Sequence, residues 1–454
     1  MKKPLGYIKQ LALATALGSV LAASPVMGLV GQSDLSFAAE KESKYADRET
    51  RKTPALREKV YKVFGKAQEF ADAEDYASAV KTLGELDPAK LNSYEQGQLD
   101  NFYGYIYYIQ ENYPKAIAAY KRVLTQEGIP VALEDNVTYT LAQLYFVTEE
   151  YQKSIDLMKK WIKYQENPGA NSFVLVGQAY YQLNDYRQGI PWVEKAMADY
   201  KAKGKEPKEN WYLLLRVMYF ELKENDKVVD ILETLVKKFP KKEYWIQLAG
   251  MYGEKANTPG LPKAQREELE RWQLVTFESA YRQGLLVRSS ELTNMAQMYL
   301  YHEVPYKAAR VLEKGLKEGL IKSTSRNWEM LSQAWINGQD YDKSVGPLKK
   351  AAELSNEGGK LWVRLAQVYS QLDDNANAAK YAEVGIKKGK LKRPDTAHVV
   401  RGMALFNQGR LNEARKEFVA ASKYDRSKKM ARQWIGYLAG EAERRRQIAE
   451  FLGK

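Results

Sequence analysis

Among its 454 residues the chain has no cysteine and only two histidines, His302 and His398. Disulfides, thiolate zinc sites, iron–sulfur clusters, cysteine nucleophiles and multi-histidine metal cages are therefore excluded. The sequence also lacks a His-Glu-x-x-His pair, a glycine-rich loop ending in Gly-Lys-Ser/Thr and a Gly-x-Ser-x-Gly elbow. Carboxylate pairs such as Glu267-Glu268 and Glu441-Glu443 occur, but on helix faces that read as solvated, so a glycosidase centre is not expected from them. The expectation is a protein that is not an enzyme and holds neither metal nor cofactor. With 45% hydrophobic and 28% charged residues, the chain is too apolar for general disorder.

What is present begins with an export pattern. Lys2, Lys3 and Lys9 precede twenty uncharged positions from Leu11 to Val30, and small residues come next, as in a secretory leader. Cleavage is read after Ser36-Phe37-Ala38 or one residue later at Ala39, ahead of the charged sequence that starts at Glu40. An earlier site after Val20-Leu21-Ala22 and an uncleaved anchor are the alternatives; Gly18, Pro25 and Gly28 speak against a spanning helix. Without cysteine, no lipidated anchor is expected. Residues 1–38 are thus read as a signal peptide, 39–56 as a flexible polar segment, and the compartment as the periplasm of a Gram-negative bacterium.

Charge is unevenly distributed. The formal net charge is +13, and residues 380–454 hold 19 Lys and Arg against 8 Asp and Glu, an excess of 11. Lys387, Lys388, Lys390, Lys392, Arg393, Arg444, Arg445 and Arg446 form the candidate basic patch. Such a patch suits an acidic partner or an anionic envelope surface, or is simply a solvated helical face; in an exported protein, nucleic acid is not expected.

The remaining signal is a repeat of 34 to 40 residues, carried by an unusual stock of 32 tyrosines and 9 tryptophans. A small residue recurs at Ala67, Gly104, Ala142, Gly177, Ala249, Ala296, Ser332, Ala366 and Gly402, with Arg216 as a departure in the fifth copy. Three positions on come Phe70, Tyr107, Tyr145, Tyr180, Tyr219, Tyr252, Tyr299, Trp335, Tyr369 and then Leu405. A second small residue stands twelve positions after the first, at Ala79, Ala116, Ser154, Gly189, Ala308, Ser344, Ala378 and Ala414, with Val228 in the fifth copy. This spacing resembles the tetratricopeptide repeat, a pair of amphipathic helices whose close crossing demands small side chains.

The pattern predicts an all-α, right-handed solenoid of ten helix pairs over 57–426, with an insertion at 253–265 that delays a second helix until about Arg266, and a basic capping helix over 427–454. Caps are required because a terminal apolar face would otherwise meet water. In such a stack the first helix of each pair lines an inner wall that holds peptides. The candidate wall residues are Gln68, Asn101, Tyr105, Tyr108, Asn136, Gln143, Phe146, Asn171, Gln178, Tyr181, Asn210, Phe220, Gln297, Gln333 and Gln367. Their amides suit a peptide backbone and their aromatic rings its side chains, while the alternative is that exposed glutamines are merely good helix formers. A clamp for a terminal carboxylate is not expected: Lys360 and Arg364 match it, but Met330 stands where an asparagine is needed.

Several strings outside the repeat consensus are distinctive: NFYGYIYYIQENYPKAIAAYKRVL, YTLAQLYFVTEEYQKSI, KEPKENWYLLLR, SAYRQGLL, PYKAARVLEKGL and RGMALFNQGRLNEA. They resemble the periplasmic tetratricopeptide protein found in clusters with TonB, ExbB and ExbD of gammaproteobacteria. That resemblance implies a non-catalytic accessory of TonB-dependent uptake, with TonB-complex or outer-membrane receptor components as partners. It carries over no site residue. The competing expectation is a scaffold for envelope assembly, in exopolysaccharide export or coordination of peptidoglycan synthesis.

Overall fold

A computed structural model describes Arg51 and residues 54–453. The expected leader and most of the segment 39–56 lie outside the described residues. The chain divides into two compact units at Phe239 and Pro240. Each contains five helix pairs, and the described residues include no strand. The first unit pairs α1 (Glu58–Asp72) with α2 (Tyr76–Leu83), α3 (Ser93–Ile109) with α4 (Tyr113–Thr125) and α5 (Val131–Val147) with α6 (Tyr151–Lys163). It continues with α7 (Ala170–Gln182) and α8 (Tyr186–Ala202), then α9 (Glu209–Glu221) and α10 (Asn225–Lys238). The second unit pairs α11 (Lys242–Ala256) with α12 (Lys263–Arg282), α13 (Ser289–Tyr301) with α14 (Pro305–Lys317) and α15 (Ser325–Asn337) with α16 (Tyr341–Leu354). It ends with α17 (Lys360–Gln371) and α18 (Asn375–Lys388), α19 (Pro394–Asn407) and α20 (Leu411–Ala421), and a last helix, α21 (Asp425–Phe451).

The small residues lie where two helices close on each other. Ala67, Ala142, Ala296, Ser332 and Ala366 are fully buried, as are Ala79, Ala116, Ala308, Ser344, Ala378 and Ala414 on the partner helices. At Gly177 a Cβ would come within 2.5 Å of Val193 Cγ2 and 3.3 Å of the Gly189 carbonyl, so helices α7 and α8 approach too closely for any side chain. Ser154 adds a bond at its crossing, its Oγ donating to the Ala142 carbonyl at 2.7 Å. The aromatic three residues beyond the first small position is buried at Tyr145, Tyr180, Tyr219, Tyr252, Tyr299 and Trp335.

The turn inside nine of the ten pairs has one construction. A single residue with positive φ separates the two helices: Glu74, Glu111, Glu149, Asn184, Lys223, Glu303, Gln339, Asp373 and Gly409. The next amide donates back to the carbonyl of the repeat aromatic, as from Asp75 to Phe70, Glu150 to Tyr145 and Asp340 to Trp335, at 2.8 to 2.9 Å. This is the Schellman closure, which satisfies orphan carbonyls of the first helix. The donor residue then caps the second helix: Asp75, Asn112, Asp185, Asp340 and Asp374 each accept from a backbone amide three residues on.

The sixth pair lacks this turn, and here the structure corrects the sequence reading. The insertion expected at 253–265 is a loop of only 257–262, because α11 runs on to Ala256 and α12 starts at Lys263, ahead of Arg266. Gly253 is not a helix breaker. A Cβ there would lie 2.3 Å from the Nε2 at the tip of Gln273, so α11 and α12 meet here through that side chain. Pro262 serves as N-cap, where its missing N–H costs nothing.

Two ends are secured differently. Ahead of α1, Arg57 places its guanidinium on the fully buried Glu95 of α3, with Nε 3.0 Å from Oε1, and donates to the Lys90 carbonyl. Arg51 reaches α5, donating to Glu134 at 3.1 Å and to the Ile129 carbonyl at 3.2 Å. At the other end, α21 begins at Asp425, two residues earlier than expected, because buried Ser427 donates to the Ala421 carbonyl of α20 at 2.8 Å. Trp434 stacks on Phe418 and meets Phe406 edge-on, both at 5.3 Å, and Leu438 is buried beside them.

Candidate binding wall and basic edge

Three neighbouring pairs of first helices touch one another, α1 with α3 and α7 with α9 in the first unit, α17 with α19 in the second. The faces of the first helices away from their second helices are the candidate wall of each unit. Counting from the small residue, the position six before it carries Gln98, Asn136, Asn171 and Asn210 in pairs two to five. The position four after it carries Tyr108, Phe146, Tyr181 and Phe220. An amide column thus runs near one end of the first helices of this unit, and an aromatic column near the other. Across these four pairs, the positions six and three before and one and four after the small residue hold no acid, lysine or arginine.

The two columns differ in accessibility. Asn136 and Asn171 are exposed and Asn210 is half-buried, and none of the three side chains has a partner among the described residues. Gln98, which a pattern of asparagines alone misses, shares their offset and donates to Tyr94 Oη at 3.1 Å. Asn101 lies three residues before its glycine, on the same helix but outside the amide column. The aromatic column is largely occupied within its own pair. Tyr108 meets Tyr113 at 6.4 Å, Phe146 meets Tyr151 at 5.5 Å and Tyr181 meets Tyr186 at 5.8 Å, each partner being the first residue of the second helix. In the fifth pair that position is Asn225, and Phe220 is left 52% exposed.

Other candidate wall residues serve the fold. Gln143 is 8% and Phe146 5% exposed, so both belong to the core, correcting their expected role in contacting a ligand. Gln68 donates to Asp72 at 2.6 Å and Gln333 donates to Asn337, each along its own helix. Tyr105, half-buried, packs against Phe102; Gln178 is half-buried and also engaged. Gln297 and Gln367 are exposed in the second unit. There the wall is charged instead: Glu329 accepts Arg364 at 3.2 Å and lies 3.8 Å from Lys360, so the two clamp-like cations hold a carboxylate of this chain.

The basic patch also resolves into parts. Lys387 pairs with Glu383 at 2.6 Å and Arg393 with Asp395 at 2.8 Å, while Arg444 and Arg445 share Glu441 and Arg446 pairs with Glu443, each one turn back. The two arginines beside Glu441 hold its carboxyl far below the usual range, at about 2. Lys388, Lys390 and Lys392 are exposed and have no partner among the described residues. The two histidines do not meet: His302 ends α13 against Tyr301, whereas His398 Nδ1 lies 2.7 Å from Glu417. Among the described residues no three His, Asp or Glu side chains are placed to hold a metal ion.

The tetratricopeptide repeat family model matches residues 64–132 and 363–432, and that for anaphase-promoting complex, cyclosome, subunit 3 matches 109–196. No curated protein matches the sequence. Among solved structures, a tetratricopeptide repeat protein from Parabacteroides merdae is 16% identical, with 68% of this chain and 98% of that one covered and a TM-score of 0.32. MamA is 17% identical over 37% of this chain and 95% of its own, with a TM-score of 0.31. YrrB, described as a tetratricopeptide protein with an unusual peptide-binding site, is 21% identical over 39% and 89%, also with a TM-score of 0.31. With its buried small residues and recurring aromatic, the helix pair that repeats along this chain has the build of the tetratricopeptide units that the family model matches at 64–132 and 363–432.

Proposed function

We propose that the protein is a non-catalytic scaffold of the periplasm, and that the first-helix wall of its first unit holds an extended segment of another polypeptide. The reading rests on the amide column: Asn136, Asn171 and Asn210 recur on successive first helices, and their side chains are left without partners among the described residues. Each amide can donate to and accept from a peptide unit. Phe220 supplies the apolar anchor, since interface energy concentrates in exposed aromatics that become buried. Placement in the periplasm is supported by the leader-like Lys2 to Ala38 sequence. Placement beside a TonB-dependent uptake system is supported by the resemblance of the non-consensus strings.

The test is a photo-crosslinking residue at Asn171 or Phe220 of the full chain in a Gram-negative host, with the adduct identified by mass. A TonB-complex or receptor component is the expected product, lost when Asn136, Asn171 and Asn210 are changed to alanine in a chain that keeps its helical melting curve. An envelope-assembly protein in the adduct, with normal iron-limited growth of a deletion strain, would replace the uptake reading. Adducts that survive loss of the asparagines would refute the wall.

A further inference from the structure

The second unit carries a different surface at its end. Helices α18, α19, α20 and α21 bring four termini to one edge. His398, four residues into α19, contacts Glu417, four residues from the end of α20, at 2.7 Å. Arg401 of α19 bonds Glu383 of α18 at 3.0 Å and Glu417 of α20 at 2.6 Å. Ser427 ties the start of α21 to the end of α20. The α18–α19 loop and the α20–α21 loop therefore emerge side by side, with the last residues of α18 and the first turn of α21 beside them.

On this edge Lys388, Lys390, Lys392, Lys423, Arg426 and Lys429 are all exposed, and none has a partner among the described residues. The acids nearby do not offset them. Glu357 is exposed on the loop that packs against Gly389 and Lys390, but it forms no ion pair among the described residues. Asp395 is buried and spent on Arg393, and Asp425 stands 3.9 Å from Lys428. Nothing in the fold requires six unpaired cations here, because the carboxylates that stabilise these helices already have arginines of their own. Tyr424 sits among the cations with its ring partly exposed.

We infer that this edge binds an anionic phospholipid surface, so that the second unit lies against a bilayer without entering it. Three features favour a bilayer over an acidic polypeptide or a second copy of the chain. Five of the six cations are lysines, strongly hydrated point charges with none of the forked geometry that reads a defined carboxylate. They come from the ends of several helices at one edge, which suits a flat field of charge rather than a groove. A cluster of four to eight cations with an interfacial aromatic is the composition that anionic leaflets attract. No helix among the described residues is long and apolar enough to cross a membrane.

The experiment is co-sedimentation of the full chain with vesicles of phosphatidylcholine alone or mixed with phosphatidylglycerol. Binding is expected only to the mixed vesicles, falling as salt is raised. Changing Lys388, Lys390 and Lys392 together to glutamine should weaken it on the order of a hundredfold, at the usual contribution per surface cation. The same change at Lys59, Lys62 and Lys66 of α1 should leave it unaltered, and both triple variants should melt like the parent because the lysines are exposed. No binding to mixed vesicles, or binding that survives loss of the three lysines, overturns the proposal. Polyglutamate binding without vesicle binding overturns it in favour of an acidic polypeptide, and salt-sensitive dimers without vesicle binding overturn it in favour of a second copy. All of these outcomes are independent of the first unit's wall.

Discussion

The hydroxyls at the helix crossings show how little chemistry separates a stabilising side chain from a costly one. Ser154 and Ser332 are both buried in small-residue positions, but Ser154 donates to the Ala142 carbonyl, whereas the Ser332 hydroxyl finds no acceptor among the described residues. Ser154→Ala should lose about 1 kcal/mol of stability, and Ser332→Ala should gain about 1 kcal/mol by removing an unmet polar group. Opposite shifts of the denaturant midpoint would check the pair. Glu95 offers a pH test of the same kind. Arg57, through hydrogen bonds and charge, holds the buried Glu95 carboxyl at about 2, well below its ordinary 4.5. A carboxyl depressed in the folded state stabilises it fully above the unfolded value and progressively less as pH falls from 4.5 toward 2. The stability difference between the parent and Glu95→Gln should therefore be full at neutral pH and nearly gone at the acid end of that window, measured by urea unfolding at each pH. The spacing of small residues made the crossings legible from sequence alone. Which serine would find an acceptor, and that Arg57 would reach a glutamate 38 residues away, depends on side-chain directions that spacing does not encode.

At the level of the helix pair, the intra-pair turn is the most regular feature, and no sequence cue announced it. Such cues centre on glycine, yet only Gly409 occupies the left-handed position as glycine; Glu149, Lys223 and Gln339 adopt it against their preference. The position is imposed by the closure that follows it, in which the next residue's amide donates back to the first helix. A non-glycine residue held there costs roughly 1 kcal/mol or more. Glu149→Gly and Lys223→Gly should each stabilise by up to about 1 kcal/mol, the gain being trimmed by the greater freedom of glycine in the unfolded chain, and Gly409→Ala should destabilise by a similar amount. Thermal melts of the three variants would show whether the signs fall this way. The same physics explains the misread insertion, where Gly253 looked like punctuation but is a contact surface for Gln273. The aromatic column misled similarly. Periodicity marks Phe146 as facing a wall, but Tyr151, the first residue of the next helix, folds over it.

On the scale of the molecule, a repeat protein is a sum of neighbouring contacts, so a division of the chain should fall between its separate cores. The fold class and the ten pairs were legible because the same few positions recur throughout the chain; the division at Phe239 and Pro240 was not, because Pro240 reads like any other break between repeats. Within the first unit, clusters gather around Phe64 and Ile106, around Val123 and Leu144, and around Met158 and Val176. Within the second they gather around Met295 and Trp335, around Leu348 and Leu365, and around Phe418 and Leu438. The second unit also owns α21, which covers its last pair with Trp434 and Leu438. A chain beginning at Pro240 therefore retains five pairs and the terminal cover that exposed apolar helix faces require. Expressed alone, residues 240–454 should be monomeric and helical and should melt in one cooperative step. The same fragment cut before Asp425 loses that cover, exposing Phe418 and its neighbours to water, and should melt at lower temperature or aggregate. Circular dichroism of the two fragments decides the matter: equal melting would mean that α21 adds nothing to the stack, and a fragment without cooperative melting would mean that the second unit depends on the first to fold.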